Sequence, residues 1–250
     1  MEPTPDLPPH NAREHPESSP QAQHIGVISW IRDRIADGEF APGMRIPERL
    51  VCERLGISRT PLREAFKVLA AERLLTLYRN RGAVVTPVSA KDADDAMQLI
   101  ATLEGMAGEL LCKQITAAEI TALQTLQQTM EQQFEARDLL GYFKTNQAIH
   151  SRIMQAANNG ILLETHQALC NRFVRYRFAG NRSEERWHKA VLEHQHILMA
   201  IEDRDAARLR YLMQAHVLNG WRIARVHVGF GDHVGCGDNI HNLTTLDSAL

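Results

Sequence analysis

The stretch PERLVCERLGISRTPLREAFKVL, residues 47–69, decides how the rest of the chain reads. Two short helical segments, about Pro47 to Leu55 and Arg59 to Glu72, flank the joint Gly56-Ile57-Ser58, and so tight a glycine-containing turn between helices marks a helix-turn-helix. Ser58 is a good N-cap for the second segment. Pro61 is tolerated there because the first-turn N–H groups have no helical acceptor. Leu62, Phe66 and Leu69 make an apolar stripe on this helix, whereas Arg59, Arg63 and Lys67 recur every fourth residue and share one solvent-facing side. An arginine donates two hydrogen bonds to the O6 and N7 of guanine, so a helix of this layout suits the major groove of duplex DNA.

Working outward, Ile28, Ile31 and Ile35 fall on one face of a preceding helix that begins near Ala22 and is closed by Gly38. Downstream, Leu75 to Tyr78 and Ala83 to Thr86 are strand-like runs joined by Arg79-Asn80-Arg81-Gly82, a hairpin that places arginines at its tip. Together these define a winged helix-turn-helix over residues 22–87. Its charge fits a nucleic-acid partner although the chain as a whole is at −2: residues 24–86 hold 11 Lys and Arg against 7 Asp and Glu (+4), and residues 87–250 hold 16 against 19 (−3). The residues expected at DNA are Arg49, Ser58, Arg59, Thr60, Arg63, Arg81 and Gly82.

The remainder is helical in period from about Lys91 to His227, with breaks near Gln114-Ile115-Thr116, Asp138, Asn158-Asn159-Gly160, Gly180-Asn181 and Asp203-Arg204-Asp205. The spacing predicts an antiparallel all-α bundle of about six helices over residues 88–228. The fold class expected is therefore mostly α, a winged helix-turn-helix with a small β wing followed by that bundle. Six of the 10 prolines lie in the first 20 residues, which predicts a disordered tail over residues 1–21, and glycines followed by polar residues predict a flexible tail over 229–250. The N-terminus lacks a basic start and apolar run, no stretch is apolar enough to span a bilayer, and the four cysteines form no CxxC pair. These features point to a cytoplasmic protein without a membrane partner, disulfide framework or zinc ribbon.

Three histidines of the helical half lie on apolar stripes. Asn146 and His150 share one with Phe143, Ile153 and Ala157; His194 sits with Ile197, Leu198 and Ile201; His216 sits with Leu209, Leu212 and Ile223. Any one of them alone is more often a satisfied core histidine than a ligand, and spacing does not say whether the three helices bring them together. If they meet, three neutral imidazoles and an amide oxygen would make a first-row metal site in the bundle core.

The run PERLVCERLGISRTPLREAFKVLAAERLL with NRGAVV resembles the winged helix of GntR-type regulators over residues 25–86. That resemblance implies DNA contacts at Arg49, Ser58, Arg59, Arg63 and Gly82. Arg73 stands where the family often has glycine, and Arg79 where proline is common in the wing. Residues 92–225 resemble the FCD ligand-binding domain of the FadR subfamily, with Leu103-Glu104-Gly105 matching its LEG-type motif. The resemblance implies a divalent ion, zinc, nickel or manganese, held by Asn146, His150, His194 and His216. Ile100 replaces an arginine frequent in the first helix of such domains, which leaves Arg175 or Arg177 to anchor a carboxylate effector.

The expected function is that of a homodimeric repressor on double-stranded operator DNA, released by a small organic acid at the metal site. The alternative is a regulator for which the ion is itself the signal. An enzyme is not expected, since no carboxylate at recognisable spacing offers itself as a general base to a metal-bound water.

Overall fold

The computed structural model describes residues 20–79, 82–180 and 184–231. Helix α1 (Pro20–Asp37) opens two residues before the expected tail ends and stops at Gly38, whose φ of 91° is the left-handed conformation that terminates helices. Its buried face is Val27, Ile31 and Ile35, with Ile28 half-buried, because a helix returns to the same side after four residues. The rest of tail 1–21, and the C-terminal tail from residue 232 with His233, Cys236 and His241, lie outside the described residues.

Helices α2 (Glu48–Leu55) and α3 (Arg59–Ala71) join through Gly56, which at φ 64° donates its N–H back to the Cys52 carbonyl. Ser58 holds the N-cap position with extended backbone, yet its hydroxyl makes no capping hydrogen bond; Pro61 occupies the third helical position and has no N–H to offer it. Leu62, Ala65, Phe66 and Leu69 are buried against α1 and Val51. Strands β1 (Leu75–Tyr78) and β2 (Gly82–Val85) pair antiparallel in the register Leu75↔Val85 and Tyr78↔Gly82. The segment Gly43–Ile46 hydrogen-bonds along the other edge of β2, from Gly43 N–H to Val85 O (2.8 Å), Val85 N–H to Met44 O (2.9 Å) and Ile46 N–H to Ala83 O (2.9 Å). Arg73, in the position where the resemblance leads one to expect glycine, has φ 59°.

Among the described residues the second half is helical: α4 (Ala90–Leu111), α5 (Ala117–Glu135), α6 (Leu139–Ala156), α7 (Gly160–Arg172), α8 (Val174–Ala179), α9 (Glu184–Glu202) and α10 (Ala206–His227). Side-chain caps stand where the sequence breaks. Thr116 and Glu119 form a capping box, and Asp138, Asn159 and Asp205 each accept the N–H three residues on. The described residues hold seven helices here rather than the six expected, because the segment from Gly160 to Ala179 bends at Phe173 (φ −104°, ψ 20°). No glycine or proline forces that bend. The Phe173 ring is buried among Ala93, Met97, Tyr176 and Trp221, and anchoring it there reorients the chain.

Two contacts of this half position the site. Helices α4 and α10 approach closely at Gly105 and Gly108, where an added Cβ would meet Gln214 Cγ at 2.7 Å and Leu209 Cγ at 3.0 Å. The glycine of Leu103-Glu104-Gly105 thus lets His216 come alongside α4. Short α8 packs on α1 of the N-terminal half: Phe178 stands edge-on to Phe143 (4.9 Å between ring centres) with Ala36 in the same cluster, and Lys144 of α6 pairs with Asp33 of α1 at 3.0 Å.

Candidate DNA-reading surface and histidine site

The outward face of α3 is exposed at Arg59, Thr60, Arg63 and Lys67. Arg59 has no ion pair among the described residues. Arg63 lies 3.5 Å from Glu48 through Nε but keeps 63% of its side chain in solvent, and Arg49, 3.4 Å from Glu53, keeps 86%. Pairs so exposed and so long leave the guanidinium groups available to a stronger anion. Between α3 and the wing runs a groove of about 400 Å³ lined by Arg45, Glu48, Arg63, Lys67, Arg79 and Gly82, four cations against one carboxylate among the described residues. Gly82 is favoured by its φ of 71°, a left-handed conformation that L side chains rarely adopt, while a Cβ there would press on the tip of the Glu48 side chain at 3.0 Å. Arg81 lies outside the described residues. Sequence reasoning missed Arg45, which reaches the groove through its bridge to Val84 of β2, a pairing with no local signal.

In the helical half, α6 supplies Asn146 and His150, α9 supplies His194 and α10 supplies His216, and all four side chains are buried. The imidazole centres stand 4.5 Å (His194 to His216), 5.1 Å (His150 to His216) and 5.3 Å (His150 to His194) apart. One ligand nitrogen from each lies within 4.8 Å of the others. His150 Nε2, His194 Nε2 and Asn146 Oδ1 are buried with no hydrogen-bond partner. Leaving such atoms unpaired costs about 1–3 kcal/mol each, so unpartnered nitrogens on two of the clustered histidines, with Asn146 on the cavity wall beside His150 and His216, fit a group that accepts their lone pairs. A divalent ion of the zinc, nickel or manganese kind matches that donor set.

Carboxylates stand behind two of the rings. Glu193 Oε2 accepts from His216 Nδ1 at 2.7 Å, and Arg186 pairs with the same oxygen at 2.7 Å while donating to the His216 carbonyl at 3.2 Å. Glu104, fully buried, places Oε2 2.7 Å from His150 Nδ1 and accepts from His166 Nε2 on Oε1 at 2.8 Å. The bond from Glu193 holds His216 Nδ1 and leaves the Nε2 lone pair of that ring to ligate, whereas His150 Nδ1 and Glu104 Oε2 stand close without a well-directed hydrogen bond. Burial depresses the basicity of His150 and His194 below the ordinary imidazole value, in His150 against the pull of Glu104, so both rest neutral and able to ligate. Burial works against the Glu193 carboxylate as well, but its hydrogen bond to His216 and the charge of Arg186 hold it at about 2.

A cavity of about 50 Å³ opens beside the rings, with Asn146, Gln147, His150, Arg177, Arg186 and His216 on its wall. Arg177, on α8, reaches both Gln147 and Glu104 (3.6 Å). Arg175 is not on that wall, and Ile100 is buried, so Arg177 and Arg186 are the cations at the cavity. His196 is exposed and outside the cluster. Sequence reasoning missed the part played by Arg186 and Glu193, although seven residues, two helical turns, place them on one face of α9.

Comparison with known proteins agrees with both halves. A family model described as "Bacterial regulatory proteins, gntR family" matches residues 26–85, and one described as "FCD domain" matches residues 95–219. The Nta operon transcriptional regulator of Aminobacter aminovorans is 31% identical over 180 residues, 71% of this chain and 83% of that protein. The HTH-type transcriptional repressor GlaR of Escherichia coli is 28% identical over 197 residues, 76% of this chain and 90% of the relative. Among solved structures, E. coli McbR/YncC superposes with a TM-score of 0.74 at 21% identity over 83% of this chain and 99% of its own, a likeness of fold.

Proposed function

The chain belongs to the GntR family of bacterial regulatory proteins with an FCD domain behind its winged helix, and from that premise we propose that this DNA-binding transcriptional regulator is a cytoplasmic repressor released by a small organic acid. It is a regulator, not an enzyme, as its relatives are. Asn146, His150, His194 and His216 hold one divalent ion, and the observation that carries this reading is the set of buried, unpartnered donor atoms on Asn146, His150 and His194. The ion supplies a Lewis-acid anchor for a carboxylate oxygen. Arg177 and Arg186 supply the matching positive charge from the cavity wall, and about 50 Å³ suits an acid of a few carbons rather than a long acyl chain.

Two copies of the chain present their α3 helices to the half-sites of a short palindrome, since a two-fold protein reads a two-fold operator. Helix α8 links the sites: its Arg177 faces the cavity and its Phe178 packs against α1. An acid that draws Arg177 away from Glu104 shifts α8 and with it the seat of the winged helix. A ligand moves this equilibrium only by its difference in affinity for the two arrangements, for which about 1–3 kcal/mol, or about 5–150-fold in operator affinity, is typical.

The test is operator binding by fluorescence anisotropy with the metal-loaded protein against a panel of small carboxylates. The reading requires at least one acid to weaken binding in the wild type and to lose that effect in Arg177→Gln. Operator affinity that ignores every acid but follows free metal would instead make the ion the signal, a reading to which the small size of the cavity lends support.

A further inference from the structure

We propose that Cys170, His166 and Glu104 form a second metal site, thiophilic in character, that shares the Glu104 carboxylate with the histidine cluster. Cys170 and His166 lie one turn apart on α7 and meet Glu104 of α4. Cys170 Sγ is 3.3 Å from His166 Nε2, that nitrogen is 2.8 Å from Glu104 Oε1, and the three donor atoms all fall within 4.8 Å of one another. Around a tetrahedral ion with bonds of about 2.0–2.3 Å, neighbouring ligand atoms stand about 3.3–3.7 Å apart. The sulfur and nitrogen are already at that spacing, but Sγ also lies 3.8 Å from His166 Nδ1, so binding an ion requires the imidazole to turn until its Nε2 lone pair faces the space between Cys170 and Glu104, and the carboxylate to open by about half an ångström.

The donor chemistry selects the ion. A thiolate, an imidazole and one carboxylate oxygen favour zinc and similar borderline metals over magnesium or calcium, which take oxygen ligands. An access route is present as well. Cys170 is half-buried and lines a cleft of about 410 Å³ between α1 and the α6–α7 pair, with Ser29, Asp33, Lys144 and Ser151 on its walls, so water can reach the open fourth position. Because the other Glu104 oxygen lies 2.7 Å from His150 Nδ1, an ion here also fixes the carboxylate that stands against His150.

The experiment is a cobalt(II) titration of the full-length protein after removal of metal by dialysis, read by absorbance and by equilibrium dialysis. The wild type is expected to bind about two ions per chain, one of them giving a thiolate-to-cobalt charge-transfer band. Cys170→Ser, a conservative change at a half-buried position, is expected to lose the band and one ion while its melting curve stays in place. His194→Ala is expected to keep the band and lose the other ion, which separates the fate of this site from that of the histidine cluster. A wild type without the band, or a band that survives Cys170→Ser, overturns the proposal.

Discussion

Replacing Glu48 with glutamine should tighten operator binding, and the size of the gain follows from the groove. In the free protein Glu48 lies 3.5 Å from Arg63 Nε, on a guanidinium side chain that is mostly in solvent. An exposed pair of that kind is worth about 0–1 kcal/mol, which DNA binding has to give up when Arg63 turns to a base or phosphate. Glu48 is also the carboxylate among the charged side chains Arg45, Arg63, Lys67 and Arg79 of the groove. Removing it should therefore improve affinity by up to about 5-fold. The same reasoning ranks the arginines. Arg59 has no ion pair among the described residues, so Arg59→Ala should lose the full value of a bidentate base contact, about 1–3 kcal/mol, whereas Arg63→Ala should lose somewhat less because Glu48 is released at the same time. Anisotropy titrations with labelled operator, repeated over a range of salt, measure all three. Unchanged affinity in Arg59→Ala, or weaker binding by a folded Glu48→Gln protein, would refute the placement of α3 in the groove.

Arg73→Gly should raise folding stability by about 1 kcal/mol, since a non-glycine residue at φ 59° is strained; a lower urea midpoint for the variant would contradict this. Glu193→Gln should weaken metal binding about 10–100-fold by loosening the His216 ring, which competition with a chelator of known affinity will show; unaltered affinity would mean that the ring needs no carboxylate. The metal-free protein should be most stable near pH 6.5. Below it the unfolded chain takes up protons that buried His150 and His194 refuse, and stability falls. Above it a contribution from His166 fades as pH rises toward about 9, the value to which its hydrogen bonds with Cys170 and Glu104 raise it against the effect of burial. Urea midpoints measured across pH 5.5 to 9 test both limbs, and a flat profile would sink the argument.

What could be read from sequence was what local spacing controls. Arg59 and Arg63 share a face because a helix turns in 3.6 residues, and Gly56 marks the joint because only a left-handed residue closes α2 so abruptly. The stripes that carry His150, His194 and His216 also showed that each ring points inward. Their convergence did not show in the spacing, since it depends on how α6, α9 and α10 pack against one another, a tertiary fact. Glu193 and Arg186 stayed hidden because their partner His216 lies on another helix, and Arg45 because it joins β2 from across the turn. The choice between Arg175 and Arg177 rests on which side of α8 faces the cavity. The bend at Phe173, with no breaker residue to announce it, sets that orientation.

The central claim is that Asn146, His150, His194 and His216 hold one divalent ion against the cavity that takes the effector. Anomalous X-ray scattering from crystals of protein purified without chelator tests it most directly. The account predicts a peak about 2.0–2.2 Å from the facing nitrogens of all three histidines and the Asn146 oxygen. Ordered side chains at these four positions with no peak between them would contradict it.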